Sequence, residues 1–163
     1  MSNVLSNIDR AKELLSTTRH ACMATVNEDG TPHNTPFMFL RDGELEHIYW
    51  SSHPESLHSK NVMRNGIAFI VFYDAIEPGG LYVSVNNIHS LDGVELDKAL
   101  EIYNGIRLVR GQEMLTSNYY RGKDSQRMWS AATVQFWVND TQRDDKGYII
   151  RDSRIEITRA DLV

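Results

Sequence analysis

His47-Ile48-Tyr49-Trp50-Ser51-Ser52-His53-Pro54-Glu55-Ser56-Leu57-His58-Ser59-Lys60-Asn61 changes character part-way along. From His47 to Trp50 the aromatic and β-branched side chains predict a strand. Two serines end it, and a short basic helix is expected to follow, stopped at Gly66. Ser52 with Glu55 has the spacing of a capping box and Pro54 suits a first helical turn, while Ser56 with Ser59 offers a rival cap. A strand running straight into a helix N-terminus brings unpaired N–H groups and a positive dipole end to the strand's tip, where an anion is readily held. Ser51, Ser52, Ser56 and Ser59 add hydroxyl donors, and Lys60 and His58 add positive charge, a set able to hold a phosphate. The plain alternative is a serine-capped surface helix with Lys60 and Arg64 on a solvated face.

Outward from this stretch the chain reads mainly as β. Ala21–Val26 is expected as a strand, Asn27–Gly30 as a turn and His33–Leu40 as the returning strand. Arg41-Asp42-Gly43-Glu44 is a second turn, so a three-strand antiparallel meander is expected. Pro32 and Pro36 donate no ladder hydrogen bonds, which predicts an edge strand or a bulge at Pro36. Ile67–Tyr73 is continuously apolar and reads as a strand buried on both faces. A loop holding Glu77-Pro78-Gly79-Gly80 leads to a long strand over Leu81–Leu91. Thr133–Val138 and Gly147–Ile157 supply later strands, with a polar turn region at 139–146. Helical spacing appears over 6–17 and about 94–106. Residues 114–130 fit either partial helix or a loop over a neighbouring surface. Roughly six or seven strands with a few helices predict one domain over 1–163: a small antiparallel barrel flanked by helices.

Composition narrows the function. Net charge is −5 over 163 residues, with 41% hydrophobic and 24% charged, and no long basic run, which disfavours nucleic acid as a partner. A single cysteine, Cys22, excludes an internal disulfide and a cysteine-rich zinc site. No signal-peptide pattern or membrane-length apolar run appears, so a cytoplasmic protein without a membrane partner is expected. His53 and His58 are five apart, about 140° around a helix, so no metal site is expected there. His33, His47 and His89 fall in expected strands and read as ordinary strand residues. Nucleophile-elbow, Walker and Rossmann glycine patterns are absent. Tyr119, Tyr120, Trp129 and Trp137 exceed what one small barrel needs and point to an interface.

The order of these pieces resembles the pyridoxamine 5′-phosphate oxidase-like, FMN-binding split-barrel proteins. The matching pieces are the first helix, Ala24-Thr25-Val26-Asn27-Glu28-Asp29-Gly30-Thr31-Pro32-His33 with Thr35-Pro36-Phe37, and Ile48-Tyr49-Trp50-Ser51-Ser52. They continue with His58-Ser59-Lys60-Asn61, the strand Ile67–Tyr73, and Gly80-Leu81-Tyr82-Val83. The resemblance implies a split β-barrel and a homodimer with FMN at the subunit interface. It implies that Thr35, Pro36, Trp50, Ser51 and Ser52 line the isoalloxazine, and that Ser56, His58, Ser59 and Lys60, with Asn61, form the phosphate end. It further implies an oxidoreductase acting on a small molecule. A flavin-storing module without turnover, or the same barrel holding haem or a deazaflavin, are the alternatives. Two departures argue against pyridoxamine 5′-phosphate oxidase activity itself. The adjacent Ser-Arg-Lys of the oxidases is replaced by Ser56-Leu57-His58-Ser59-Lys60, and their C-terminal Arg-Leu-His-Asp-Arg is matched only in part by Arg151-Asp152-Ser153-Arg154.

Overall fold

The computed structural model describes residues 4–76, 79–122 and 124–163. Glu77 and Pro78 of the expected loop, Lys123 of the mixed segment and the first three residues lie outside the described residues. Three helices, α1 (Val4–Thr17), α2 (Leu57–Asn65) and α3 (Gly93–Val109), accompany eight strands: β1 (His20–Val26), β2 (Pro32–Met38), β3 (Leu40–Arg41), β4 (His47–Ser52), β5 (Ile67–Phe72), β6 (Leu81–Ser90), β7 (Arg127–Arg143) and β8 (Ile149–Ile157). One sheet runs β2-β1-β5-β6-β7-β4-β3, with β8 also on β7. Every pairing is antiparallel. The curled sheet with flanking helices is the mainly β split barrel expected from the sequence.

The opening strands do not form a meander. β1 and β2 are a hairpin, but β4 pairs with β3 and β7, at the far end of the sheet. Pro32 and Pro36 are four apart, so both missing N–H groups fall on one side of β2, where a second ladder would lose them. β2 is accordingly an edge strand. Its register with β1 is unbroken through Pro36, so there is no bulge at that residue. The chain instead crosses the barrel at Phe39, which is buried edge-on against Phe72, ring centroids 4.7 Å apart. β2 and β4 meet across the interior through Phe37 and Trp50.

Two further expectations need correction. β5 is not buried on both faces: Ile70 and Phe72 point into the barrel, but Ile67 is 61% exposed and Tyr73 beyond it is also exposed. β7 is far longer than Thr133–Val138. Its first part pairs with β4 and its last part with β8, while β6 lies along the other side. Residues 127–130 of the mixed segment belong to it, and 117–120 form one 3-10 turn. Tyr120 and Trp129 are therefore core residues, not interface aromatics. In β6 a bulge beyond Asn86 is accommodated by Asn87 at φ 48°, a conformation asparagine tolerates better than most residues.

The barrel core is closed by Ala11, Leu14 and Leu15 of α1. A second cluster, including Leu96, Ala99, Leu100, Tyr120 and Met128, lies under α3. Asn104 of α3 holds the following segment by accepting from the Leu115 N–H (2.8 Å) and donating to its carbonyl (2.9 Å). No helix among the described residues is long and apolar enough to cross a membrane.

Trp50 and Trp129 are register partners on β4 and β7, stacked at 6.4 Å and 12°. Both are buried, but Trp129 Nε1 donates to the Ser52 carbonyl (3.1 Å) while Trp50 Nε1 has no partner. The two tryptophan-to-phenylalanine changes lose similar volume, so the hydrogen bond separates them. Trp129→Phe leaves a buried carbonyl short of a donor and should cost about 1–3 kcal/mol more than Trp50→Phe in urea unfolding. Equal costs would show that the bond contributes nothing.

Candidate functional site

β4 delivers the site by ending where α2 begins. Ser52 stays in the β-ladder opposite Arg127, and its carbonyl is held by Trp129. His53-Pro54-Glu55 then turn, with the Ser56 N–H donating to the His53 carbonyl at 3.0 Å. Hence the helix starts at Leu57 with Ser56 as N-cap, and the Ser52–Glu55 capping box does not form. Pro54 lies in the turn, not in a first helical turn. Glu55 pairs instead with Lys60 at 2.8 Å, which holds its carboxyl below the usual range. Ser56 makes no side-chain cap, so the first-turn N–H groups of α2 keep their capacity for another acceptor.

Four side chains converge at this helix start. Ser52 Oγ lies 2.6 Å from His58 Nε2, 2.9 Å from Ser56 Oγ and 3.1 Å from Ser59 Oγ. Ser56 Oγ donates to the His53 carbonyl at 2.8 Å and is 2.9 Å from Ser59 Oγ. Ser59 is fully buried and Ser52 nearly so, at 7% exposure, whereas Ser56 and His58 are half-buried at the rim. Burial lowers the His58 pKa, and the nearby His33 lowers it further. The imidazole is therefore neutral near pH 7 and exchanges hydrogen bonds with hydroxyls rather than presenting a charge. This donor set, three hydroxyls and an imidazole at a helix N-terminus, can accept an anion's oxygens.

The other expected site residues are distributed less simply. Ser51, on the opposite face of β4, donates to Gln126 Oε1 and lies beside the buried Tyr120 hydroxyl. Thr35 is half-buried on β2, 3.4 Å from His33 Nε2, and Pro36 is exposed. Trp50 is only 1% exposed, with its ring in the barrel core. The ring is thus packed in the core rather than presented to a ligand. Asn61 is buried and structural: its Nδ2 donates to Thr25 Oγ1 (3.0 Å) and Asn27 Oδ1 (2.8 Å), and its Oδ1 accepts from Arg64. It locks α2 to β1 and has no group left to offer a phosphate. Lys60 is half-exposed, its ammonium engaged by Glu55.

From the sequence His33 reads as an ordinary strand residue and Tyr120 as an interface aromatic, and Gln126 stands out in neither way. His33 stands two residues from Thr35, on the same face of β2, and that alternation was the available signal. No sequence spacing announces Gln126, which arrives from 75 residues away. Among the described residues no three His, Cys, Asp or Glu side chains gather as a metal site.

The family model for pyridoxamine 5′-phosphate oxidase matches residues 8–138, from within α1 to within β7. The chain belongs to this family. Curated proteins yield no match. Among solved structures, the chain is similar to a pyridoxamine 5′-phosphate oxidase-related, FMN binding protein from Nostoc punctiforme (15% identity, 96% of this chain and 95% of that one, TM-score 0.54). It is also similar to a haem storage protein from Vibrio cholerae (16% identity, 78% and 90%, TM-score 0.60). A third is an F420 reductase (18% identity, 77% and 94%, TM-score 0.55). At these identities the likeness is one of fold. The fold is thus shared with an FMN binding protein, a haem storage protein and an F420 reductase.

The lowered pKa of His58 has a sign that can be checked in the ligand-free protein. Unfolding returns the imidazole to its ordinary value near 6.5, so the unfolded chain binds the proton more readily. The contribution is fully present above that value and is lost as pH falls through it toward the lower folded pKa. Urea unfolding compared between neutral and mildly acidic pH should show wild type losing more stability than His58→Gln. Identical losses would mean that His58 is as accessible to protons as in the unfolded chain.

Proposed function

We propose that this chain is one subunit of a cytoplasmic homodimeric flavoprotein that holds FMN with its phosphate at the start of α2 and exchanges electrons with a small molecule. The observation that carries this reading is the convergence of Ser52, Ser56, His58 and Ser59 on one helix N-terminus. The donor set fits a phosphate monoester: hydroxyls and first-turn N–H groups for its oxygens, with Lys60 one helical turn from Ser56. Bound FMN would supply the hydride or electron transfer. The chain's own part is to bind and orient. Ser56 and His58 at the rim meet the phosphate first, and Thr35 and Ser51 offer polar contacts to the ring system.

The second copy is argued from β5. Its sequence is apolar on both faces, yet within one chain the outer face, with Ile67, Phe69 and Val71, is covered only in part. Ala24, Val26, Phe69 and Val134 border an apolar groove of about 460 Å³ on that outer face. An identical apolar face is a self-complementary partner, as two-fold dimers require. A free thiol at Cys22 suits a reducing compartment. Pyridoxamine 5′-phosphate oxidation itself is not proposed, because the phosphate residues and the C-terminal arginines depart from the oxidase pattern. Arg154 in particular lies over the Tyr82 ring at 3.7 Å.

An absorbance spectrum of the purified protein, before and after FMN addition, tests the cofactor directly. Flavin bands support the proposal, a Soret band would assign haem, and a colourless sample indifferent to FMN would overturn it. Steady oxidation of a reductant separates an enzyme from a storage module.

If Lys60 exchanges Glu55 for the phosphate, Lys60→Ala should weaken FMN by roughly ten- to a hundredfold, a charge-assisted bond being worth about 1.5–3 kcal/mol. Riboflavin, lacking the phosphate, should be nearly unaffected in the same titration. Equal losses would mean general damage to the fold.

Wild type should scatter light as a dimer. Ile67→Glu, a change at an exposed position, should give a monomer with much weakened FMN binding. A monomeric wild type that binds FMN tightly would remove the interface from the proposal.

A further inference from the structure

A second pocket lies away from α2, between the C-terminal ends of α1 and α3 and the crossover from β2 to β3. It encloses about 370 Å³, within the range of small-molecule sites. Leu15, Phe39 and Ile106 line it with apolar surface, and three arginines from three separate elements border it: Arg19 just after α1, Arg41 on β3 and Arg110 at the end of α3. No Asp or Glu lines it. None of the three arginines joins an ion pair among the described residues. Arg41 spends one N–H on the Asp42 carbonyl (3.2 Å), and Arg110 spends one on the Met38 sulfur (3.6 Å). Each guanidinium carries five N–H donors, so most of this capacity faces the pocket or solvent.

Three like charges around one concavity repel one another, and on a chain of net charge −5 nothing in overall composition demands them. A cleft lined by one sign of charge concentrates the opposite sign. The plain alternative is that the arginines offset the negative ends of α1 and α3. That does not account for Arg41, which belongs to neither helix. Nor do the donor bonds fit it, since Arg41 and Arg110 reach Asp42 and Met38 rather than a helix-terminal carbonyl. We infer that this pocket binds a small organic phosphate, with its phosphate among Arg19, Arg41 and Arg110 and its apolar body against Leu15, Phe39 and Ile106. Guanidinium forks match phosphate oxygens in pairs, and the apolar wall distinguishes an aryl or alkyl ester from the inorganic ion.

Phenyl phosphate is a suitable probe, followed by amide chemical shifts of the labelled protein so that this pocket and the α2 site are read separately. Saturable shifts are expected at residues 16–19, 38–41 and 106–110. Inorganic phosphate and phenol alone should each bind roughly tenfold or more weakly, as a charge-assisted contact or the apolar burial is missing. Arg41→Gln with Arg110→Gln, and separately Arg19→Glu at an exposed position, should reduce the affinity by a similar factor while an unchanged amide spectrum elsewhere shows the fold intact. Shifts confined to residues 52–60, affinities unaltered in these variants, or no saturation at millimolar probe would each overturn the inference. None of these outcomes depends on whether FMN is the cofactor.

Discussion

The hydrogen bond from Trp129 to the Ser52 carbonyl fixes the point from which the candidate site is built. It joins β7, the strand that touches β4, β6 and β8, to the last residue of β4. Stacking of Trp129 on Trp50 places that bond in the core, where an unpaired carbonyl would be costly. With the strand end held, the turn at His53–Glu55 has one starting direction. Asn61 then ties α2 to Thr25 of β1 and to Asn27 just beyond it from the other side. The helix N-terminus is thus held at two points on different strands, and the serines and His58 inherit their geometry from those two anchors.

The same reasoning explains why β5 has apolar side chains it does not bury. A strand in the middle of a curled sheet has an inner face set by the core, here Ile70 and Phe72, and an outer face free to be polar. On β5 the outer face is apolar from Ile67 through Val71, and its neighbours add Ala24, Val26 and Val134. Leaving this surface in water gains the chain nothing, at about 25 cal/mol per Å² of apolar area. This is the surface on which the proposed second copy would sit. Arg154 covers part of the adjoining aromatic surface, over Tyr82 and Phe69, so the open apolar area centres on β1 and β5.

Local patterns carried most of the fold. Alternation identifies β6, helical spacing identifies α1 and α3, and the prolines reduce β2 to an edge or a bulge, of which the edge is found. What failed was pairing. Two Asp-Gly turns suggested a meander, but turn chemistry says only that the chain reverses, not which strand it meets next. Burial of Phe39 across the barrel decided that, and it is a tertiary effect. β7 extends well before Thr133 because residues 127–132 pair with β4, a long-range contact that no local pattern carries. At the site, the serines and His58 were legible because a strand end and a helix cap have fixed spacing. The roles of Trp50 and Asn61 were not, since burial depends on which face of β4 or α2 meets the core. His33 reads as an ordinary strand residue because its relation to His58 is long-range.

The site's resting state bears on how it would take an anion. Its hydroxyls and imidazole already satisfy one another, so a phosphate gains only the difference between the bonds it makes and those it replaces. Neutral donors traded for neutral donors leave that difference small. A net gain has to come from charge, and the structure offers three sources: the dipole of α2, the Lys60 ammonium now held by Glu55, and a proton on His58. The dipole acts without rearrangement but contributes only about 0.3–1 kcal/mol. Releasing Lys60 costs little, because an ion pair this exposed is itself weak. Protonating His58 works against burial and against His33, the two causes that lower its pKa. Of the two titratable or mobile cations, Lys60 is thus the easier to recruit near neutral pH, and His58 serves there as a hydrogen-bonding partner that becomes a charge only on the acid side.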